Sequence, residues 1–418
     1  MGQDEYIILR RGGSARARGN LDWQMRGLDS LAMRDGGPIR DHQHEAPPQP
    51  NLTVASLNEN EAADLQRDDD VLASALSIPI SLIRPMAVGA GEDAQAEQSA
   101  RAAGISWGVQ EVAPHAGPDA GAATTVAVLD TGIDPTHPAF NGVNLTRKNF
   151  SKSPNEDDVF GHGTHCAGTI FGRDVDGVRI GIARGVRNAL IGKILDDRGS
   201  GGTADVARAM QWASDQGARV ISMSLGIEFG NLVKWLEESG KPPAEVLSRA
   251  LSAYRDSVRL FDTTVQSLGA QGVMVRGGAI VVAAAGNESA RTAASPYIID
   301  VSLPAAAVGM ISVGAVGKGA GGYNIASFSN TNPMLCAPGV GIVSAKCGGG
   351  LAAMDGTSMA APHVSGAAIL WSERVVQDNP RASIEIVKAK LIAGCKATGF
   401  SPAVAAGDRG AGLVQAPA

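Results

Sequence analysis

The sequence predicts an α/β protein with a mostly parallel central sheet, helices on both faces of that sheet and a small α+β unit in front. Two observations carry this reading. First, Thr124–Leu129 (TTVAVL) is an apolar run ending at Asp130, and Ala189–Ile194, Val220–Leu225, Ile280–Ala285 and Met310–Ala315 repeat the pattern. Strands of a parallel sheet are buried on both faces and therefore read as runs, not as alternation. Helical stretches over 162–172, 203–216 and 358–375 separate them. Second, glycine is abundant (53 residues) while aromatics make up only 4% of the chain. That balance suits tight strand-to-helix turns and small-residue packing.

The chain has 418 residues, long for one average domain but within reach of a large α/β unit. With 44% hydrophobic and 19% charged residues and a net charge of −6, it offers no electrostatic reason to expect nucleic acid as a partner. No stretch approaches the roughly 18 apolar residues of a membrane span, because the most apolar segment, Ala279–Ala285, is broken by Gly286 and Asn287. The N-terminus carries Asp4 and Glu5, and Ile7–Leu9 is too short for a secretory core, so a cytoplasmic location is expected. Cys166, Cys336, Cys347 and Cys395 form neither a disulfide framework nor CxxC spacing and are expected as free thiols, with a Cys336–Cys347 bridge as the alternative.

Residues 1–85 read as a small α+β unit in which 11–50, rich in Arg, Gly and Pro, are irregular. Tyr6–Leu9 and Thr53–Leu57 are strand-like, and Val71–Ile83 is β-like again. Asn58 caps a short helix through Arg67, and Glu61 completes a capping box. Segment 86–104 has no apolar stripe and is expected to be an exposed, unstructured, cleavable linker. The main domain spans 105–418. Within it, about 227–278 is an insertion in which Leu247, Leu251, Tyr254, Val258, Phe261, Val265 and Leu268 recur at spacings of 4 and 3. This spacing predicts a long helix after Pro242-Pro243 that lays its stripe on its own sheet.

Three segments carry chemistry: VAVLDTGIDPTHP (126–138), FGHGTHCAG (160–168) and DGTSMAAPHVSG (355–366). Acyl transfer at neutral pH needs a hydroxyl nucleophile, an imidazole to take its proton and a carboxylate to hold the imidazole. Asp130 closes a buried strand, where the functional groups of open α/β sheets gather. His162 lies between two glycines at a helix start, and Ser358 opens a long apolar helix whose dipole favours developing negative charge. Taken singly, each has a blander reading as turn former, metal pair or helix cap. His165 would need a third ligand or an HExxH context to hold zinc, and it has neither. It is read as structural, as are His137 and His363.

Together the segments resemble the subtilisin-like serine protease family, whose Asp, His and Ser signatures occur in this order. The resemblance covers about Trp107 to Gln415 and implies a subtilisin-like three-layer fold and a serine endopeptidase. It implies Asp130, His162 and Ser358 as catalytic residues and Asn287, in AAAGNES, as the oxyanion donor. Gly199-Ser200-Gly201 and Ser224-Leu225-Gly226 resemble the family's substrate-pairing strands. Glu288, and with it Asp300, falls in segments that line the first specificity pocket, where a carboxylate would favour Lys or Arg before the scissile bond. The partner expected is a peptide or protein substrate. Residues 1–85 resemble a prodomain, which implies self-cleavage between Arg84 and Ser106 and an N-terminal segment acting as an intramolecular inhibitor. A retained docking domain is the alternative. A degenerate peptide-binding relative is disfavoured by the intact signatures, and an esterase or lipase by the absence of GxSxG around Ser358. No cofactor or metal is expected: Ala139 stands where relatives place a calcium-ligating Asp, and Arg173 and Arg179 crowd the following loop.

Overall fold

In the computed structural model, residues 3–12, 50–65, 67–86, 91–227, 229–238, 240–270 and 278–418 are described. Most of the stretch expected to be irregular (13–49), and the first residues of the expected linker (87–90), lie outside them.

The N-terminal unit holds β1 (Asp4–Arg10), β2 (Asn51–Leu57), α1 (Glu59–Leu65) and β3 (Val71–Leu76). β1 lies between β2 and β3, antiparallel to both. The capping box forms as read: the Asn58 side chain accepts from the N–H groups of Asn60 and Glu61, and Glu61 accepts from the N–H of Asn58. The β-like run Val71–Ile83 divides in two. After β3 the chain turns and forms β4 (Pro79–Leu82), which leaves the unit and enters a different sheet.

The expected linker needs correction. Glu92–Ala103 is a helix, α2, closed by Gly104 in the left-handed conformation. Its Ala, Glu and Gln residues are strong helix formers, so the missing apolar stripe signals a shallow contact, not absence of structure. Ala100 is buried, and Ala96 packs against the core.

The remaining elements follow in order: α3 (Trp107–Val112), β5 (Thr125–Asp130), β6 (Asn144–Asn149), α4 (His162–Phe171), β7 (Asn188–Lys193), β8 (Ser200–Gly202), α5 (Thr203–Asp215), β9 (Val220–Met223), β10 (Leu225–Gly226), α6 (Phe229–Glu237), α7 (Pro243–Ala270), β11 (Ile280–Ala284), β12 (Ile311–Gly319), β13 (Gly322–Ile325), β14 (Leu335–Pro338), β15 (Ile342–Ala345), β16 (Leu351–Met354), α8 (Thr357–Asp378), α9 (Ile384–Ala393) and the short α10 (Ala406–Arg409). Among the described residues the main sheet runs β13-β12-β11-β9-β5-β7-β6, with β14 also on β12. All its pairs are parallel except β12–β13.

Alternation along β5 shows how one strand serves two cores. Val126 and Val128 join the core under α4 and α8, while Ala127 and Leu129 join the core under α5 and α7. The run Val220–Leu225 also divides: β9 stays in the main sheet, whereas β10 pairs with β4.

The long helix starts at Pro243 as read, but its seam is offset. Leu247 and Leu251 are 49% and 56% exposed, while Val246, Ala250 and Ala253 are buried in their place. The 4,3 spacing holds from Phe261 onward, where the helix lies on the sheet. The insertion also meets the N-terminal unit. Ile7, Leu9, Ala73 and Ala75 pack on Ala204 and Ala207 of α5 and on Leu260 of α7.

The four cysteines are free thiols. The two arginines of the loop after α4 are engaged by backbone carbonyls. The Arg173 guanidinium donates to the carbonyl oxygens of Phe171, Arg184 and Val186, and Arg179 donates to those of Ala113 and Pro114. Replacing Arg173 by Met leaves several half-buried carbonyls without a donor, which costs roughly 1–3 kcal/mol for each group stranded. Thermal melts of Arg173→Met are expected to show a midpoint several degrees below wild type. Neither protein's midpoint is expected to respond to added Ca²⁺ or to chelator.

Candidate active site

The sheet brings the three signature segments to the carboxyl ends of its strands. Asp130 is the last residue of β5, and its carboxylate accepts from the N–H of Thr131. His162 is the first residue of α4, entered through Gly161 at φ 93°. Gly163 next to it allows a close approach, since an added Cβ would lie 2.2 Å from the Gly132 carbonyl oxygen. A buried Asp158 holds this corner: it accepts from the N–H groups of Gly161 and Thr164 and from both threonine hydroxyls, Thr131 and Thr164. Ser358 is the second residue of α8 and is buried.

His162 Nδ1 lies 2.8 Å from Asp130 Oδ1, with the two side chains 0% and 1% exposed. Burial alone depresses the imidazole, but the adjoining Asp130 carboxylate outweighs it and holds His162 well above its ordinary value. Cys166, one turn along α4, sits 3.7 Å from the same nitrogen and acts in the same direction. Burial pushes the Cys166 thiol up, and its Sγ donates to the Ser358 carbonyl. The other ring nitrogen, Nε2, has no hydrogen-bond partner among the described residues.

Asn287 follows β11. Its side-chain oxygen accepts from the N–H and the hydroxyl of Thr357, at 2.9 and 2.8 Å. These two bonds fix the amide so that its NH₂ end faces the cleft.

The cleft is occupied by the chain's own N-terminal segment. β4 forms the middle of a three-stranded antiparallel sheet between β8 and β10. Ile80 opposes Gly201, Ser81 opposes both Ser200 and Gly226, and Leu82 opposes Leu225. The N–H of Leu82 donates to the Gly199 carbonyl at 2.8 Å. The Ser358 hydroxyl donates to the Ile83 carbonyl oxygen at 2.9 Å, and Asn287 Nδ2 donates to the Arg84 carbonyl at 3.0 Å. Ser224 contributes its hydroxyl to the Ser358 carbonyl.

Comparison with known proteins places this geometry. The Peptidase_S8 model of the subtilase family matches residues 121–405. The chain belongs to the subtilase family. It is 32% identical over 345 residues to the alkaline protease of Alkalihalobacillus alcalophilus, covering 79% of this chain and 76% of that protein. It is 30% identical over 344 residues to subtilisin E of Bacillus subtilis strain 168, covering 78% and 74%. Among solved structures it is similar in fold to fervidolysin from Fervidobacterium pennivorans, a keratinolytic enzyme related to subtilisin. That match has a TM-score of 0.63 and 22% identity and covers 99% of this chain, which spans 60% of fervidolysin's length. This subtilase is a serine endopeptidase that acts on peptide substrates. The cytoplasmic expectation is corrected: the alkaline proteases and subtilisins it matches are secreted enzymes. That expectation rested on Asp4, Glu5 and the short apolar run Ile7–Leu9, which say nothing of where the protein acts. No helix among the described residues is long and apolar enough to cross a membrane.

The structure brings Asp130, His162, Ser358 and Asn287 to one end of the sheet and sets Gly199–Gly201 and Ser224–Gly226 on either side of β4. Glu288 behaves otherwise. Its carboxylate accepts from Asn330 and Ser302, and the Asp300 side chain accepts from Asn332 and the N–H of Val301. His165 is held by the carbonyls of Ile342 and Ala352 and lowered by burial to about 3. His363 bonds the Met359 carbonyl and is lowered by burial to about 4. Both are neutral packed groups, as read. His137 likewise bonds the Gly350 carbonyl and the N–H of Ala139. Asp158 and Lys193 were missed. A lysine closing an otherwise apolar strand was the available signal for the second.

Hydrolysis that uses His162 as a base requires neutral imidazole. A raised value means protonated, inactive enzyme at low pH and activity gained as pH rises through that value. The acidic limb of kcat/KM is therefore expected above the ordinary imidazole value of about 6.5. In Asp130→Asn the largest influence opposing burial is lost and only Cys166 still acts against it, so the residual activity should show this limb at lower pH. A pH–rate profile of both proteins measures it.

Proposed function

We propose that Ser358 is the nucleophile, His162 its general base, and Asp130 the carboxylate that fixes the imidazole tautomer and stabilises imidazolium. The Ser358 oxygen attacks the scissile carbonyl carbon while its proton passes to His162 Nε2. The C–N bond then breaks as that proton is delivered to the leaving nitrogen. A water molecule, deprotonated by the same nitrogen, hydrolyses the acyl-enzyme and restores Ser358. Asn287 Nδ2 and the Ser358 N–H receive the negative charge on the carbonyl oxygen. Loss of the corresponding amide in subtilisin itself costs about 10²–10³ in kcat. Gly199–Gly201 and Ser224–Gly226 are the two edges that pair with an extended substrate, which needs only its own backbone to bind there.

The N-terminal unit is, on this reading, an inhibitor made in the same chain and removed by self-cleavage. The observation that carries it is β4, lying between both edges with the Ile83 carbonyl against the Ser358 hydroxyl. That contact supports a cut at the Ile83–Arg84 bond, one residue ahead of the 84–106 window expected from sequence, while the Asn287 amide rests one carbonyl further on, at Arg84. The domain limits follow: an inhibitory unit ending at Ile83, then Arg84 to Gly104 including α2, then the peptidase domain from Ile105 with its 227–278 insertion. Purified wild type is expected to accumulate a new N-terminus at Arg84, while Ser358→Ala stays full length and the released fragment inhibits in trans. N-terminal sequencing of both proteins over time decides it. Wild type that remains intact while hydrolysing peptides would show a retained docking domain.

Ile83 also reports on the specificity pocket. It is buried and packs over Gly226, where an added Cβ would meet its Cγ1 at 3.2 Å. With the Glu288 carboxylate turned to Asn330 and Ser302, the pocket favours an apolar residue before the scissile bond over Lys or Arg. Glu288→Gln is expected to leave the ratio of rates on apolar and basic peptides within about twofold, since charges that do not meet the substrate contribute little. A fall in the basic-substrate rate alone would restore the role expected from sequence.

A further inference from the structure

Lys193 is a charged group that the proposed mechanism does not use, and it is wholly buried, at 0% exposed. Lysine almost never takes such a position unless its charge is paired. It closes β7 directly beside Asp130, its cross-strand partner in the sheet. Its ammonium has three N–H donors, and three acceptors meet them. Nζ donates to the Thr131 carbonyl at 2.6 Å and the Asp157 carbonyl at 2.9 Å, and pairs with Asp197 Oδ1 at 2.9 Å.

These acceptors come from three separate segments. Thr131 immediately follows Asp130. Asp157 precedes Asp158, whose carboxylate holds the first turn of α4 and so the position of His162. Asp197 stands two residues before Gly199, where the edge that pairs with β4 begins. The last contact is itself supported: Asp197 also accepts from Ser153 Oγ, and the Lys193 ammonium holds its carboxyl below the ordinary range. We propose that Lys193 is a positioning residue, one buried cation that sets the spacing of the Asp130 strand end, the turn before His162 and the substrate-pairing edge. A point charge with rotatable donors can join acceptors from three directions.

The inference rests on the roles given to Asp130 and His162 above, and its test separates the two. Activity on a peptide amide is measured for full-chain preparations brought to constant rate, with active sites titrated by a fluorophosphonate so that only folded enzyme counts. Lys193→Met strands the two carbonyls and loosens both loops, and it is expected to lower kcat per titrated site by roughly 10²-fold, the loss typical of a displacement of about 1 Å. Asp197→Asn keeps the ammonium on its carbonyls and weakens only the edge. It is expected to raise KM several-fold with kcat within about twofold, the signature of lost substrate pairing. A Lys193→Met enzyme that melts lower yet keeps wild-type kcat and KM per site would make Lys193 a stability element only and overturn the proposal. If Lys193→Met yields no folded protein, Asp197→Asn decides alone: an unchanged KM overturns it. Ser358→Ala that retained activity would instead overturn the catalytic assignment and leave these constants without a mechanism to report on.

Discussion

Putting an imidazole and a carboxylate side by side out of water is unfavourable by several kcal/mol for each charge, and only a close contact with further hydrogen bonds offsets it. The Asp130–His162 pair is buried in this way, and much of the surrounding structure supplies the missing interactions. Thr131 gives its N–H to Asp130 and its hydroxyl to Asp158. Asp158 in turn gathers the first N–H groups of α4, which have no partner within the helix. Gly163 lets the helix press against Gly132 closely enough for the 2.8 Å contact to form. The parallel sheet makes the arrangement possible by ending β5, β7 and β9 at one edge, where loops from distant parts of the chain meet.

Cations held by backbone carbonyls recur in this molecule. Arg173 engages the Phe171 carbonyl at the end of α4 and two carbonyls of the chain that follows, and Lys193 bridges two carbonyls and a carboxylate beside Asp130. In both places oxygen atoms from separate loops converge, a grouping that would otherwise repel or demand solvent. A side-chain cation fills it permanently, independent of the ionic composition outside.

Much of the fold was legible in the sequence because its strands are local apolar runs, and the site because each functional side chain sits in a short segment of fixed form. Asn58 and Glu61 announced their capping box three residues apart, and it formed. What failed depends on surroundings that no segment contains. Leu247 and Leu251 fitted the helical spacing of Phe261 and Leu268, yet that half of α7 turns Val246, Ala250 and Ala253 to the core instead. Val71–Ile83 and Val220–Leu225 each looked like one strand, but each contributes to two sheets because β4 and β10 pair with one another. The Ala-rich α2 lacked a stripe because it touches the domain through few residues. Glu288 was read by its charge, and that charge is answered by Asn330.

The surface shared by the N-terminal sheet and the peptidase domain is small and mixes a few large side chains, Ile7, Leu9 and Leu260, with alanines: Ala73 and Ala75 on one side, Ala204 and Ala207 on the other. Such a surface buries little area, so its hold is modest at about 25 cal/mol for each Å². While the chain is uncut, β4 has no need of more, because a short tether presents it to its groove at an effective concentration in the millimolar range. After a cut between Ile83 and Arg84 the same surface must act between two molecules. Occupancy then follows the amount of protein in solution, so crowding at the point of synthesis keeps the groove filled and dispersal into a larger volume empties it. If the proposed cut is made, dilution sets the timing of activation.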